Sequence, residues 1–530
     1  MRHFSRVLPH LFLALCLSAT HRTWAATNTV TTTADSGAGS LRQAVVSATA
    51  SNTINFSVTG TITLTSGEIS LDKDLTISGP GADVLAVSGN SASRIFNVAT
   101  NATVTVSGLT LKNGTDTTGA GGGIHSAGTL ILTACTITNC QAGAGTPLSG
   151  GGAIFVVTGA VSIVNSTLDN NQATGGAGDE SGGAVYNANG SVMISNSTIS
   201  ANIAHGTNGF GGGVFNESGS ITLISSTVAF NTAVGTGGGI DNSSGAFSVG
   251  DSIVAQNTAT NAPDATGSFA SNGFNLIGVG DDAPDFADGV NDDHVGFAAA
   301  PLDPTLGPLQ NNGGTTFTHE LLPGSPAINA GSCLSTNATD QRGDPRPGGP
   351  ACDIGAFEVQ ACTDLGSTIT CISTNLVGSP IDAGGAIVLF DNPSFSSTCP
   401  GANVLCDPLS GSLIPVGTNT VLATLFDASG TELTNCSFTI IVRGNDQVFD
   451  DAIALASGLG SNARLHASVA KQLAAAKKAF LTGHIGKACR DLRKLTAQVN
   501  REVKRGHVTP TQANQFFPTL AALKAILSCG

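Results

Sequence analysis

Between Asn113 and Gln341 the chain holds no lysine and no arginine. An enzyme that takes a proton from a uronic acid needs a cation as base or as a clamp for the substrate carboxylate, so this stretch lacks the usual lyase machinery. Beyond the amino-terminal segment no run of 18 uninterrupted apolar residues occurs, and we find no membrane-spanning helix. The glycine triplets follow no Gly-x-x-x-x-Gly-Lys pattern, so no phosphate-cradling loop is present. A formal net charge of −14 argues against nucleic acid as a partner of the acidic body. Helical spacing of 3.6 residues is also absent from the middle of the chain.

What fills that middle is a repeat. Gly121-Gly122-Gly123-Ile124 returns as Gly151-Gly152-Ala153-Ile154, Gly182-Gly183-Ala184-Val185, Gly211-Gly212-Gly213-Val214 and Gly237-Gly238-Gly239-Ile240. Each unit closes on a phrase of the form Ser-Thr-apolar-x-x-Asn-x-Ala, whose apolar residues are Ile137, Leu168, Ile199, Val228 and Val254. Between the two phrases residues alternate at strand period, as in Ser191-Val192-Met193-Ile194-Ser195. Strands this short bury their inward side chains only on the neighbouring unit, which predicts a parallel β-helix with rungs about 4.8 Å apart. Asn171, Asn202, Asn231 and Asn257 then share one phase, and we read them as a structural ladder at a corner of the coil. In the first unit Cys135 and Cys140 take the Ser and Asn positions, and a disulfide across that corner is plausible.

The chain opens like an export signal, with Arg2 and Arg6 before an apolar core from Leu11 to Leu17 and a small-residue cleavage site at Ala25 or Ala26. Residues 1–26 are therefore read as removed, the mature chain as secreted or held at the cell surface. Eleven cysteines remain after Cys16 is lost, an odd number in a compartment that permits disulfides. Ser40-Leu41-Arg42-Gln43-Ala44-Val45 predicts a short helix that covers the open first coil. This phrase resembles the motif that begins many secreted bacterial right-handed β-helix proteins, and the Gly-Gly-Ala-Ile and Asn-x-Ala phrases resemble the repeats of polymorphic outer-membrane proteins.

Asp281, Asp282, Asp285, Asp288, Asp292 and Asp293 follow the last regular unit with no basic residue among them. Two readings stand: a solvated acidic loop, or a calcium site at Asp281, Asp282, Asp285 and Asp288, though the spacing is not that of an EF-hand. No other cofactor is implied. Leu309-Gln310-Asn311-Asn312-Gly313-Gly314, Gly324-Ser325-Pro326-Ala327-Ile328-Asn329-Ala330-Gly331, Thr339-Asp340-Gln341-Arg342-Gly343 and Cys352-Asp353-Ile354-Gly355-Ala356-Phe357-Glu358 resemble the choice-of-anchor Q domain, over residues 28 to 359. The resemblance implies a β-helix ending in a surface-attachment module and leaves its activity open. On physical grounds Asp340, Arg342, Asp344, Arg346 and Asp353 can form a charged network locking a C-terminal cap, stapled by Cys333 and Cys352.

From Cys362 the composition becomes that of a small all-β module. Cys399-Pro400, Cys406-Asp407-Pro408, Phe426-Asp427-Ala428-Ser429-Gly430 and Cys436-Ser437-Phe438 resemble a hyalin repeat, an immunoglobulin-like sandwich of extracellular adhesion proteins. Ala423 replaces a cysteine usual in that family, which leaves one of Cys371, Cys399, Cys406 and Cys436 as the odd thiol. Three helical segments follow, at Leu465 to Ala476, Ile485 to Lys504 and from Thr509, with Cys489 and Cys529 placed to tie the second to the third. They resemble the helical domain called FIMAH. Twelve of the 22 Lys and Arg but three of the 36 acids lie in residues 451–530, a net of +9 against −23 for the rest. The tail is read either as a contact to an anionic surface or as a solvated helical face.

The expectation is a mainly β protein. A right-handed single-stranded parallel β-helix with two caps (27–359) is followed by a β-sandwich (360–443) and a basic three-helix domain (444–530). A hydrolase on this frame needs carboxylates 5 to 9.5 Å apart on one face. Of Asp169, Asp179, Glu180, Glu217 and Asp241, only Glu217 and Asp241 come near a shared phase. The sequence therefore favours a non-catalytic extracellular protein that binds glycans or cell-surface components. The alternative is a polysaccharide-cleaving enzyme using Glu217 and Asp241.

Overall fold

A computed structural model describes residues 26–117, 120–143, 150–174, 180–206, 208–333, 338–362, 366–371, 376–378, 385–399, 401–460 and 463–529. Residues 1–25 of the export signal and Asp179 lie outside them. The chain divides into two compact units, one reaching to Leu321 and taking in Ser325–Pro347 and Ala351–Glu358, the other holding Val359–Gly530 with Leu322–Gly324 and Gly348–Pro350.

The first unit is a parallel β-solenoid with four faces. Its first face has ten strands, from Thr27–Val30 to Ala270–Ser271, and its second has ten, from Gly60–Thr63 to His294–Val295. The third has five two-residue strands, from Thr115–Asp116 to Thr232–Ala233, and the fourth has eight, from Ile69–Leu71 to Ala265–Gly267. Inward positions stack like on like: Val104, Leu130, Val161, Val192, Ile221 and Phe247 form one column and Val106, Leu132, Ile163, Ile194, Leu223 and Val249 another. All are buried, each aliphatic side chain contributing about 1.5–3 kcal/mol of transfer free energy. The glycine clusters are steric necessities. The first glycine of each takes a positive φ, +64° at Gly182. The second is pressed between rungs, so that a Cβ on Gly183 would stand 2.2 Å from the Gly212 carbonyl.

The corners are held by three ladders. Between the second and third faces the Nδ2 of Asn171, Asn202 and Asn231 donates to the Oδ1 of the next asparagine at 2.9 Å, and Asn257 donates to Asp264 Oδ1. Between the first and second faces the hydroxyls of Ser166, Ser197, Ser226 and Ser252 accept from the backbone N–H one rung earlier, and Ser252 passes the line to Asn275 and then Asp293. A third line runs Asn187, Asn216, Asn242. Each residue just before an asparagine or serine rung of the first two ladders is left-handed, for example Asn170 at +54° and Ser225 at +46°. Cys135 and Cys140 head the serine and the first asparagine ladder. They are free and buried, so the disulfide expected across that corner is not formed. The reason is topological: the strand Thr136–Thr138 stands between them, and each belongs to a different corner.

Helix α1 (Leu41–Ser47) closes the first coil by burying Leu41, Ala44 and Val45. Ser40 caps it by accepting from the Gln43 N–H, and Arg42 pairs with Asp35 at 2.8 Å while donating to Gly67 and Glu68 carbonyls. The other end is closed by the acidic loop. Its Ala283 and Phe286, with Val295, enter the core, where Phe286 meets Phe269 and Phe269 meets Phe247. The aspartates bind backbone: Asp281 accepts from Ala298, Asp285 from Phe269 and Asp288 from Val295. Spent on separate N–H groups, Asp281, Asp285 and Asp288 do not converge with Asp282. Among the described residues no cluster of three or more potential metal ligands is found, which corrects the calcium reading.

The segment from Leu306 to Glu358, expected as the cap of the last coil, instead lies along the outside of the second face. Gln341 receives the Thr198 hydroxyl and donates to Thr167 and Thr316, His319 Nε2 meets Ser200 at 2.9 Å, and Ala356 donates to Thr227. Arg342 pairs with Asp340 at 2.7 Å and with Asp344 at 3.2 Å, and lies over the Phe357 ring. Arg346 pairs with Glu358 at 2.8 Å, and Asp353 accepts from the Asn329 N–H. Cys333 and Cys352 are bonded.

In the second unit a sheet of Leu376–Gly378, Asn403–Asp407, Gly417–Phe426 and Glu432–Val442 is joined by two small strand pairs. Cys362–Cys399 and Cys371–Cys436 are bonded. Cys406 is a buried free thiol facing Ala423 across the strand pair, so the residue that replaces the family cysteine leaves its opposite number alone. Helices α2 (Asn445–Leu455), α3 (Ala463–Leu481), α4 (Ile485–Lys504) and α5 (Pro510–Ile526) follow. α2 is one more than the three expected: only 11 residues long, it shows too little periodicity to stand out in the sequence, yet it buries Phe449 and Ala452 in the bundle core. Cys489 and Cys529 are bonded.

Candidate functional site

Two outward surfaces of the solenoid differ in chemistry. On the fourth face one outward position reads, rung by rung, Ser70, Asn97, His125, Phe155, Tyr186, Phe215, Asp241, Thr266. The rings stack along the axis with centroids 6.0, 4.8 and 5.1 Å apart. His125 Nδ1 meets Asn97 Oδ1 at 3.1 Å, and burial holds its pKa below the usual histidine range. These rings point away from the core and are nevertheless covered: Phe155, Tyr186 and Phe215 are 7, 2 and 8% exposed, beneath Ala120, Val157, Ala188 and Phe210.

Around that column lie the carboxylates. The Tyr186 hydroxyl donates to Glu217 Oε2 at 3.0 Å, and burial together with that carboxylate pushes the phenol pKa up. Asp241 is buried and its pKa is pushed up to about 6 by burial, against the lowering effect of the Thr236 hydroxyl 2.9 Å away. The register pairs Asp241 with Phe215 and Asn242 with Asn216, so Glu217 stands two positions along from the level of Asp241. The shared phase expected for Glu217 and Asp241 is not observed, because counted from its glycine cluster Asp241 is the fifth residue of its unit and Glu217 the seventh of its own. Asp169 belongs to the second face, bound by the Thr138 hydroxyl. Glu180 is 1% exposed, and its Oε2 has no hydrogen-bond partner among the described residues. Asp169 thus lies on another face, and Glu217 and Asp241 lie on adjacent rungs two positions out of register.

The first face is the chemical opposite. Its central outward position reads Thr27, Thr53, Thr76, Thr105, Ile131, Ser162, Met193, Thr222, Ser248, Ala270. Every one is partly or fully exposed and none is charged. At about 4.8 Å per rung the column runs about 43 Å. Ser78, Ser107, Thr133 and Val164 form a parallel line two residues along. Hydroxyl and methyl groups at fixed spacing can donate, accept and make apolar contact without a desolvated charge. A Ser/Thr/Asn-rich display face is legible in the sequence, but its residues are not, because strand alternation says which residues point out and not which face stays uncovered.

Residues 367–442 match the HYR domain family. No curated protein and no solved structure matches the chain. The β-solenoid, the HYR domain and the four disulfides among the described residues are consistent with an extracellular surface protein. No helix of the described residues is long and apolar enough to cross a membrane.

Proposed function

We propose that the protein is a secreted, non-catalytic binding protein whose solenoid adheres to glycans or other cell-surface material through its first face. Residues 1–26 serve as the export signal. Residues 27–359 form a choice-of-anchor Q type body with repeats like those of polymorphic outer-membrane proteins. Residues 360–443 act as spacer or adhesion module, and 444–530 form a FIMAH-like tail that contacts an anionic surface. The observation that carries the reading is the uncharged hydroxyl and methyl column from Thr27 to Ala270, open along its length. A neutral polysaccharide is rich in hydroxyls and has no charge to pair, and such a surface answers it in kind. The test is a panel of plant, algal and bacterial polysaccharides. Binding without release of reducing ends, weakened by Thr105→Glu and Thr222→Glu, is the expected result; release of reducing ends or unsaturated products defeats it.

One observation favours the enzyme reading. Asp241, its pKa pushed up to about 6, stands two rungs from Tyr186 in the same outward column, with Tyr186 bound to Glu217, and a carboxyl that holds its proton to about pH 6 can serve as a general acid. Under that reading Glu217→Gln and Asp241→Asn abolish a cleavage that the panel detects in the parent chain.

A further inference from the structure

Helix α4 is strongly amphipathic. Ala488, Cys489, Leu492, Leu495 and Val499 are buried in the bundle, and the Cys489–Cys529 bond ties the helix to the residues that follow α5. On its opposite side Lys487, Arg490, Lys494, Arg501 and Lys504 are all exposed. At 100° per residue they fall within one stripe about 100° wide, running about 26 Å along the axis. Asp491 and Glu502 stand to one side of it. Three other cations of this unit are paired, Arg443 with Asp451, Lys477 with Asp450 and Arg505 with Glu502. Among the described residues the five of the stripe have no ion-pair partner.

Helix electrostatics account for only part of this placement. Arg501 and Lys504 stand in the last turn, where the macrodipole favours cations, but Lys487 and Arg490 stand in the first two turns, where it does not, and Arg490 and Lys494 are a like-charged pair four residues apart. A row of cations without ion-pair partners, continued along a rigid helix into the end where its dipole disfavours them, is what a repeating polyanion needs. The stripe carries no aromatic ring on which a base could stack, and its middle holds only Ala497 as an apolar side chain, so neither unpaired nucleic acid nor membrane insertion suits it.

We infer that the exposed stripe of α4 binds a linear acidic polysaccharide, its carboxylates or sulfates engaged in turn by Lys487, Arg490, Lys494, Arg501 and Lys504. The inference rests on the extracellular binding reading above and names the partner of its basic tail.

The probe is polygalacturonate, with its fully methyl-esterified form as the uncharged control, measured on the whole chain at several salt concentrations. The parent binds the acid form and not the ester. Replacing all five residues by Gln weakens that binding at least tenfold in low salt. It also lowers the slope of log affinity against log salt by roughly 3.5, at about 0.7 for each cation removed from a single-stranded polyanion. Lys471→Gln with Lys478→Gln, on α3, leaves both unchanged. The five-fold variant keeps its helical circular dichroism and melts close to the parent, since the dipole contribution lost at Arg501 and Lys504 is offset by the repulsions relieved at Lys487, Arg490 and Lys494. Equal binding of the ester, an unchanged salt slope, or tighter binding to phosphatidylglycerol vesicles or duplex DNA than to polygalacturonate overturns the inference. Binding of neutral glycans reports the first face separately: it survives the α4 variant and is lost with Thr105→Glu and Thr222→Glu, so either reading can fail alone.

Discussion

Asn231→Ala removes one rung from a buried amide line, and its cost can be worked from the bonds it breaks. Asn231 Nδ2 donates to the Ile199 and Ala229 carbonyls and to Asn257 Oδ1, and its Oδ1 accepts from the backbone and side-chain nitrogens of Asn202. Truncation leaves the Asn202 side chain with the Leu168 and Ser200 carbonyls, and leaves Asn257 Oδ1 with the Asn231 N–H. The Asn202 backbone N–H loses its acceptor in a fully buried setting. An orphaned buried donor costs about 1–3 kcal/mol, and the small void adds roughly 1 kcal/mol, for a total near 3 kcal/mol. A solenoid opens locally, so a global midpoint is the wrong observable. Native-state amide exchange at Asn202 and its strand neighbours is the right one, and about 3 kcal/mol is roughly a hundredfold loss of protection. Residues near Ile77, several rungs away, keep theirs. Thr222→Ala on the exposed face changes protection by less than about threefold, within the 0.5 kcal/mol of an ordinary surface change. Loss of protection at Asn202 no greater than that of Thr222→Ala would refute the ladder as a stabilising device.

Burial raises Asp251 and Asp264 to about 6, as it does Asp241, from an ordinary carboxylate value of 3.8. Each holds its proton more tightly folded than unfolded, so each contributes roughly 3 kcal/mol that is present below pH 3.8 and lost as pH rises through about 6. The solenoid should melt at higher temperature at pH 4.5 than at pH 7, and Asp264→Asn should flatten that slope; an unchanged slope in the variant sinks the assignment. At Asp35 burial is outweighed by the Ser66 and Arg42 hydrogen bonds, which hold it near 2; it works in the opposite window and loses its contribution only as pH falls through about 2. Cys135 and Cys140 are pushed up to about 11 and about 12 by burial, and Cys406 is buried too. A thiol reagent at pH 8 should therefore find none of these three in the folded protein and, without reductant, all three once it is unfolded. Arg346→Ala takes the guanidinium from buried Glu358, whose carboxylate keeps the Asp353 N–H, at a cost of about 3–5 kcal/mol, and limited proteolysis should then cut the segment from Leu306 to Glu358 while the rungs beneath resist.

How much of this was legible in the sequence depended on distance along the chain. Where the repeat keeps one length, spacing does the work of structure: 31 residues separate Leu168 from Ile199, and the register stacks them. Where the length changes, only a count from the glycine cluster holds: Phe215 and Asp241 are each the fifth residue of their unit and fall level, while Glu217 does not. The serine ladder lay inside a phrase already recognised, but a hydroxyl beside a strand has many uses and only the N–H of the previous rung reveals this one. The third ladder had its own signal, an asparagine three residues before a glycine at Asn187, Asn216 and Asn242. The path of Leu306 to Glu358 was beyond reach, because Gln341 meets Thr167 and Thr198 across 174 and 143 residues and no local pattern encodes such a bond. The acidic loop misled for a simpler reason: its charges are conspicuous, while the job is done by Ala283 and Phe286 between them.

An amide line of this kind has a direction. Each asparagine takes a hydrogen from the rung before and gives one to the rung after, so a ladder made only of amides always ends with a hydrogen still to place. In two of the three lines the last member is an aspartate, Asp264 in one and Asp293 in the other, which can only receive. A single exchange of nitrogen for oxygen thus acts as a full stop, written into the side chain at the rung where coiling ceases. Lengthening the solenoid by inserting a further repeat would require each aspartate to move outward with the new end, with an asparagine filling the place it leaves. An insertion that ignores this grammar would carry a buried carboxylate mid-column, with no hydrogen to hand to the rung beyond it.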